Sequence, residues 1–433
     1  MKLSKLDGRC YDVVVCGGGS AGTAAAYGAA RAGASTLLLE RYGFCGGIMT
    51  AAMIHTFDAI KSCSNYDEIV AGGFAQDLLA EIAKIGGNAI EDNPPEALTV
   101  HPEMHKIAID RLLARAGVTV IYYAPVCNAL TSDRRVTGVE ASLRDGRARF
   151  QGSVVIDGTG DAEIAYYAGA RFEVAPDLQP MTYHFRLGNV AGNHTWSQWE
   201  EICGRAMKRA HEEGEIGVYG GPWVIRLANG EISANTTRLY GNPVNPEDIT
   251  AAEIQGREGM LKTWRILQGR VPELAQSYIL SGASQVHIRE SRKIVGDYTL
   301  TEEDIWTRKS FADSIAVGAW PVDIHPSNGF VGVHPHKESP PEPYEIPFRC
   351  LLPSGVEGLL VAGKPISTTH RAHGSTRVPG TSLATGQAAG VAAALASRNR
   401  ISLRELNIVE LRKILQSQGA IVSAPCLKSP QVG

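Results

Sequence analysis

The feature that most limits what this chain can fold into lies near its beginning. YDVVVC (11–16) is a short, valine-rich apolar run, the pattern of a strand buried on both faces. Gly17-Gly18-Gly19-Ser20-Ala21-Gly22 follows at once, then the small-residue stretch TAAAYGAARAG, and TLLLE (36–40) closes on an acid. Strand, glycine bend, close-packed helix and second strand make a βαβ unit in about 30 residues. In Gly17-x-Gly19-x-x-Gly22 the first glycine permits a tight turn. The second lets the backbone approach a pyrophosphate, and the third allows close helix–strand packing. The helix start at Ser20 and Ala21 offers free N–H groups and a positive dipole end. Glu40 is placed to accept hydrogen bonds from an adenosine ribose. The expectation is a dinucleotide site built on Gly17, Gly19, Ser20, Ala21, Gly22 and Glu40.

NAD dehydrogenases and flavoproteins share this bend. The residues after Glu40, Arg41-Tyr42-Gly43-Phe44-Cys45-Gly46-Gly47, bear on the choice, because a glycine pair suggests backbone passing close to a long ligand. Here the chain resembles the two-dinucleotide-binding-domain flavoproteins, which carry a glycine pair soon after the acid. VVIDGTGDAEIAYYAGA (154–170) is similar to their second signature, a Thr-Gly pair after a strand. GLLVAGKPISTTHRAHGSTRVPGTSLATGQAAGVAAALA (358–396) is similar to the final strand, loop and helix that meet the flavin. More narrowly, ERYGFCGG, DGTGDAE, RESRKIVGDYTLTEEDI and SLATGQAAGVAAALA resemble the broad FAD-dependent oxidoreductase family. That resemblance implies non-covalent FAD, redox chemistry and no single substrate. It adds Arg41, Cys45, Gly46, Gly47, Val126, Thr159, Gly160, Asp161, Gly363, Thr381, Ser382 and Leu383 to the cofactor site. Cys45 departs from the family, where an aliphatic residue is usual, and is expected to be a packed thiol. His55 follows the glycine pair, but its spacing alone does not make it a flavin attachment point.

The two ends are alike in texture and the middle differs. The expected fold is therefore α/β: a Rossmann-type FAD-binding domain, glutathione-reductase-like, with an inserted α+β substrate domain. Its parts are 1–170, carrying a β-meander at about 118–155, then the insertion 171–345, then 346–433. HPEMHKIAIDRLLARAG (101–117) predicts a helix with Ile107, Leu112 and Leu113 on one side. VTVIYYAPV (118–126), RVTGVEASL (135–143) and ARFQGSVVIDGTGD (148–161) predict strands. HIRESRKIVGDYTL (287–300) reads as strand-rich before a helix start at Thr301. SPPEPYEIP (339–347) reads as an extended connection, VEGLLVAGK (356–364) as a buried strand, and 382–399 as a small-residue helix. A second strand–GxGxxG–helix unit is missing, which argues against a nicotinamide domain.

The flavin would accept the hydride, so the chain must orient a substrate, move a proton and stabilise charge on the ring. The densest polar cluster lies before the last helix. Its His370 and His373 can move protons near neutral pH, and Arg371 and Arg377 can clamp a carboxylate or support the reduced ring. His287, Arg289, Glu290 and Arg292 form a second set, with Arg289 the residue expected to meet an anionic substrate. His325 beside Asp323 forms a third.

The reading is a flavoenzyme acting on a small organic molecule, with an anionic substrate, the electron acceptor and a homodimer left open. The alternatives are an electron-transfer flavoprotein subunit, an RNA-modifying flavoprotein and a plain NAD dehydrogenase. With 20% charged residues and a net charge of −3, the chain lacks the basic stripe of a nucleic-acid partner. Eight dispersed cysteines carry no CxxC or metal spacing, so metal: none is expected. No apolar run reaches the roughly 18 residues of a membrane span, and a cytoplasmic location is expected.

Overall fold

The computed structural model describes residues 2–87, 97–227, 230–327 and 341–425. Five parallel strands form the main sheet in the order Thr119–Ile121, Thr36–Leu39, Arg9–Cys16, Gly146–Asp157, Leu359–Val361. The long fourth strand serves two neighbours on one edge. Its first half pairs antiparallel with Arg135–Leu143 of the meander, and Val155–Asp157 pairs parallel with Leu359–Val361. Val126–Ser132 completes the meander.

Strand residues alternate between the sheet's two faces, which accounts for the continuous apolar runs. Val13, Val15, Leu38, Val154, Ile156 and Leu360 belong to a core shared with the helices Ser20–Arg31, Pro102–Ala116 and Pro379–Asn399. Val14, Leu37, Leu39, Val155 and Val361 pack instead with Ala129, Val136, Val139 and Ala141 of the meander. The first and last of these helices touch backbone to backbone. A Cβ on Gly386 would lie 2.1 Å from the Ala21 carbonyl oxygen, and one on Gly390 would lie 2.0 Å from that of Ala25. This is why both helices are written in alanine and glycine.

The middle of the chain carries a four-stranded antiparallel sheet in the order Trp223–Leu227, Glu231–Asn235, His184–Gly188, Tyr278–Gly282. Its Phe185, Leu187, Val224, Ile232 and Ala234 pack with Trp199, Cys203, Met207, Ile266 and Leu267 from the helices Trp196–Glu212 and Pro246–Arg270. The alternate residues His184, Arg186 and Ser233 are polar, yet they are buried too. Such a polar face normally meets solvent; here it meets the first part of the chain, including Met53–Thr56.

Several expectations are corrected. The segment 118–126 is not one strand: Tyr123 takes a left-handed φ of 54°, so the chain turns and Val126 begins a new strand. In the helix Pro102–Ala116 the buried side chains include His105, Ala108, Ile109, Leu112 and Leu113, while Ile107 is exposed. The stretch 287–300 is mostly irregular: Lys293–Ile294 pairs with Phe172–Glu173, and His287, Gly296 and Leu300 make isolated bridges. Its helix start is as expected, Thr301 and Asp304 forming a capping box. The last helix begins at Pro379, not 382, and a short helix His370–Thr376 occupies the polar cluster before it. Of the proline-rich stretch, 339–340 lie outside the described residues, and Tyr344–Pro347 is a buried strand paired with Ser314–Gly318. Cys426 is also outside the described residues; the other seven cysteines are free.

Candidate cofactor and active site

An elongated cavity of about 300 Å³ runs from the bend after the first strand to the start of the last helix. At one end, Gly17 has φ +91° and packs so closely on the second bend that a Cβ would lie 2.7 Å from the Gly158 carbonyl oxygen. A Cβ on Gly22 would lie 1.7 Å from the Gly17 oxygen. Both positions require glycine for reasons internal to the protein. Gly19 does not. Its φ of −73° suits any residue, and a Cβ there would find no protein atom nearer than Gly47 Cα at 3.7 Å. Beyond it, the helix Ser20–Arg31 starts with no side-chain cap, and Ser20 Oγ is buried with no partner among the described residues. These are the features of an anion cradle.

Glu40 is buried beside this cradle. Its carboxylate accepts from the Gly18 amide at 2.5 Å and the Tyr42 amide at 2.7 Å, and burial raises its pKa above the ordinary carboxylate value. Arg41 lines the cavity, donating to Gln285 Oε1 at 2.7 Å. The second bend is held from beneath: the buried Asp157 carboxylate accepts from the Thr159 amide and hydroxyl and from the amides of Ile164 and Ala165. Asp161 pairs with Lys364 at 2.9 Å and accepts from Ser291 Oγ at 2.6 Å. Burial opposes its charge, but Lys364 and Ser291 outweigh it and hold the carboxyl below its usual range. Glu163, facing the same cavity, is pushed up to about 7 by burial and the charge of Asp161.

Of the expected cofactor residues, Gly17, Gly19, Ser20, Ala21, Glu40, Arg41, Gly47, Val126, Thr159, Gly160, Asp161, Gly363 and Ser382 line this one cavity. Gly22, Cys45, Gly46, Thr381 and Leu383 do not; they sit behind its wall. Cys45 is fully buried, and burial pushes its thiol well above the ordinary range. Gly46 donates its amide to the Gly18 carbonyl at 2.8 Å, tying the two glycine bends together. Leu383 belongs to the helix-side core.

At the other end of the cavity stand His287, Arg289, Arg377, Val378 and Pro379. Arg289 is buried and donates to the Pro180 carbonyl at 2.8 Å and Thr182 Oγ1 at 3.3 Å. Arg377 pairs with Asp323 at 2.9 Å, and Asp323 also meets His325 at 3.3 Å. The other expected catalytic residues stand away from the cavity wall. His373 is fully buried with Nε2 3.0 Å from the Arg289 carbonyl oxygen, and burial lowers it to about 3. His370 Nδ1 lies 2.9 Å from Glu290, which also holds Lys293. Arg371 points outward, 3.7 Å from Glu302. Lys364, Glu163 and Gln285 were not singled out in the sequence. Lys364 left a signal there, sitting directly after the strand-ending Gly363, and so did Glu163, the last residue of DGTGDAE. Among the described residues no group of three or more His, Cys, Asp or Glu is arranged to hold a metal ion. No described helix is long and apolar enough to cross a membrane.

The profile of the FAD dependent oxidoreductase family matches residues 12–415, and the chain belongs to that family. It is an FAD-dependent oxidoreductase, and its cofactor is FAD. The digeranylgeranylglycerophospholipid reductase 1 of Methanopyrus kandleri is 26% identical over 297 residues, covering 60% of this chain and 79% of the reductase. Among solved structures, a geranylgeranyl bacteriochlorophyll reductase-like protein from Thermoplasma acidophilum superposes with a TM-score of 0.52 at 12% identity, covering 95% of this chain and 84% of that one. This second likeness concerns the fold.

Proposed function

We propose that FAD lies along the cavity, in a glutathione-reductase-like manner, and that a small organic substrate exchanges a hydride with it at the end walled by His287, Arg289 and Arg377. The observation that carries this placement is Gly19. Neither its backbone angle nor any protein neighbour calls for a glycine, and the side from which a Cβ is missing opens on the cavity wall. A ligand backbone in van der Waals contact supplies the reason.

In this reading the start of the helix Ser20–Arg31 holds the diphosphate, Glu40 holds the ribose, and Arg41 and Val126 flank the adenine. Gly363, Lys364 and Ser382 bound the flavin half, and the uncapped start of the helix Pro379–Asn399 offers its positive end to the ring. When bound, the flavin accepts or gives the hydride. The chain's own part is to bind, orient and move a proton.

His287 is the histidine best placed for that proton. It lines the cavity, its Nδ1 has no partner among the described residues, and burial keeps it neutral, the state of a base. His370 and His373 act as positioning residues, the first through Glu290 and the second through the Arg289 carbonyl. The purified protein is expected to show the visible bands of a flavin. Gly19→Val is expected to leave it colourless yet folded, as judged by circular dichroism. A Gly19→Val protein that stays fully loaded sinks the placement.

A further inference from the structure

We infer that one water molecule is bound inside the protein by His55, His184 and Asn235, in a second and smaller cavity, and that it joins the segment 53–56 to the middle sheet. The cavity measures about 20 Å³. One wall is Met53, Ile54, His55 and Thr56; the other is the buried polar face of the sheet, with His184 and Asn235 among its residues. Roughly 10–15 Å³ of such space admits a water molecule, so the cavity takes one and has no room for an organic ligand. The strands bring the polar ends together. His184 stands opposite Asn235 across one antiparallel pair, and Asn235 opposite Trp223 across the next, so the three form a row on one face. His55 comes from the first part of the chain and closes the space from the other side.

His55 and His184 are 2% and 5% exposed. His184 Nε2, Asn235 Oδ1 and both ring nitrogens of His55 are buried with no hydrogen-bond partner among the described residues. The Met49 backbone is near the His55 ring and favours its charged form, but not in hydrogen-bonding geometry. Buried polar atoms are costly to leave unmet. The two nitrogens of His55 lie on opposite edges of its ring, so a water reaches one of them together with His184 and Asn235. That gives about three hydrogen bonds, the usual number for an internal water. The occupant is neutral. Burial pushes His55 down to about 3, and burial with the charge of Arg289 holds His184 well below its ordinary value. Each uncharged ring then offers one donor and one acceptor. The Asn235 oxygen calls for a donor and repels an anion. Water supplies both kinds of bond. His55 lines this cavity and not the larger one, whereas Ile54 lines both. The His184 ring meets the His287 ring edge-on, with centroids 6.1 Å apart. On the cofactor placement proposed above, the water thus braces the wall behind the hydride end, and His184 is a positioning residue for His287.

The test is a crystal structure of the FAD-loaded protein, with rotating-frame Overhauser spectra of the same protein carrying isotope-labelled histidine. The crystal should show one ordered water within hydrogen-bond reach of His184 and Asn235. The spectra should show a cross peak between the His184 ring and a long-lived water. Asn235→Leu keeps the shape of the side chain and removes the acceptor, so the cross peak should be lost; His55→Gln keeps a polar partner, so it should remain. Asn235→Leu should also shift the His287 ring resonances. Phe185→Ala, which opens the opposite, apolar face of the same sheet, should leave them in place. The inference is overturned if the wild-type cavity is dry or filled by a side chain, or if Asn235→Leu keeps the cross peak. Equal shifts of His287 in Asn235→Leu and Phe185→Ala overturn the positioning role. Should Asn235→Leu fail to fold, the wild-type crystal and spectra decide. A colourless wild-type protein strikes instead at the cofactor placement and leaves the water standing.

Discussion

The two ends of the chain and its middle solve opposite packing problems. The ends are held together where side chains are missing: the helices Ser20–Arg31 and Pro379–Asn399 meet through Gly386 and Gly390, and the bends at Gly17 and Gly158 touch through their backbones. The middle is held by alternation. One face of its sheet is apolar and filled by two helices, and the other is polar and buried against the rest of the molecule. The contrast teaches where tolerance lies. The ends admit almost no added volume. The polar face of the middle sheet is constrained in charge and hydrogen bonding as well as in volume, because it too is buried.

The largest expected effect breaks the first half of this contrast. Gly390→Leu drives a side chain into the Ala25 carbonyl, and overpacking of this kind costs about 3 kcal/mol or more. Soluble, cofactor-loaded protein should be lost, and a variant that melts with the wild type would mean the helices do not meet backbone to backbone. Next, Phe185→Ala empties a fully buried ring from the apolar face of the middle sheet. Its stability should fall by about 3–5 kcal/mol in urea unfolding, with the flavin spectrum of the folded fraction unchanged.

The third prediction turns to the polar wall that the middle presents to the cavity. His287→Gln should keep the flavin and slow anaerobic flavin reduction by about 100-fold, measured with whichever metabolite of a panel bleaches the wild type. His370→Ala and His373→Ala should slow it less. If these two match His287→Gln, the proton role moves back to the helix His370–Thr376.

The smallest effect tests burial in the ends. His105 is fully buried against Phe57, and burial lowers it to about 3. A histidine whose folded value is depressed costs stability as pH falls below its unfolded value near 6.5, because the unfolded chain takes up the proton first. Between pH 7 and 5 this amounts to about 2 kcal/mol. His105→Leu should therefore flatten that part of the pH–stability curve, and an unchanged slope would place His105 in contact with water.

How much of this was legible in the sequence follows the same division. The first bend could be read because every constraint on it is local, set by glycines within six residues of a strand end. The Pro379 start of the last helix is equally local, since proline favours the first helical turn, but the small-residue run that gives the helical pattern begins only at Ser382. The break at Tyr123 left only Pro125 as a warning. The stretch 287–300 has strand-like residues, yet its backbone partners are scattered: Thr182, Arg171, Leu352 and Pro365. No periodicity can announce such pairings. Arg289 and Arg377 were legible as residue types, but their convergence on one end of the cavity was not, because they come from distant segments. His370 and His373 directly precede the helix that meets the cavity, yet neither is among the residues lining it.

The long strand Gly146–Asp157 has a consequence for how the protein is made. Its edge near Val155 stays open until Leu359–Val361 arrives, roughly two hundred residues later on the ribosome. The helix Ser20–Arg31 waits longer still for its partner Pro379–Asn399. The middle sheet, complete by Gly282, can form while both still face solvent. In the proposed placement the walls supplied by Gly363 and Ser382 are made last, and a nascent chain stalled in its last quarter would present a bare alanine-lined helix and an unpaired strand to the quality-control machinery.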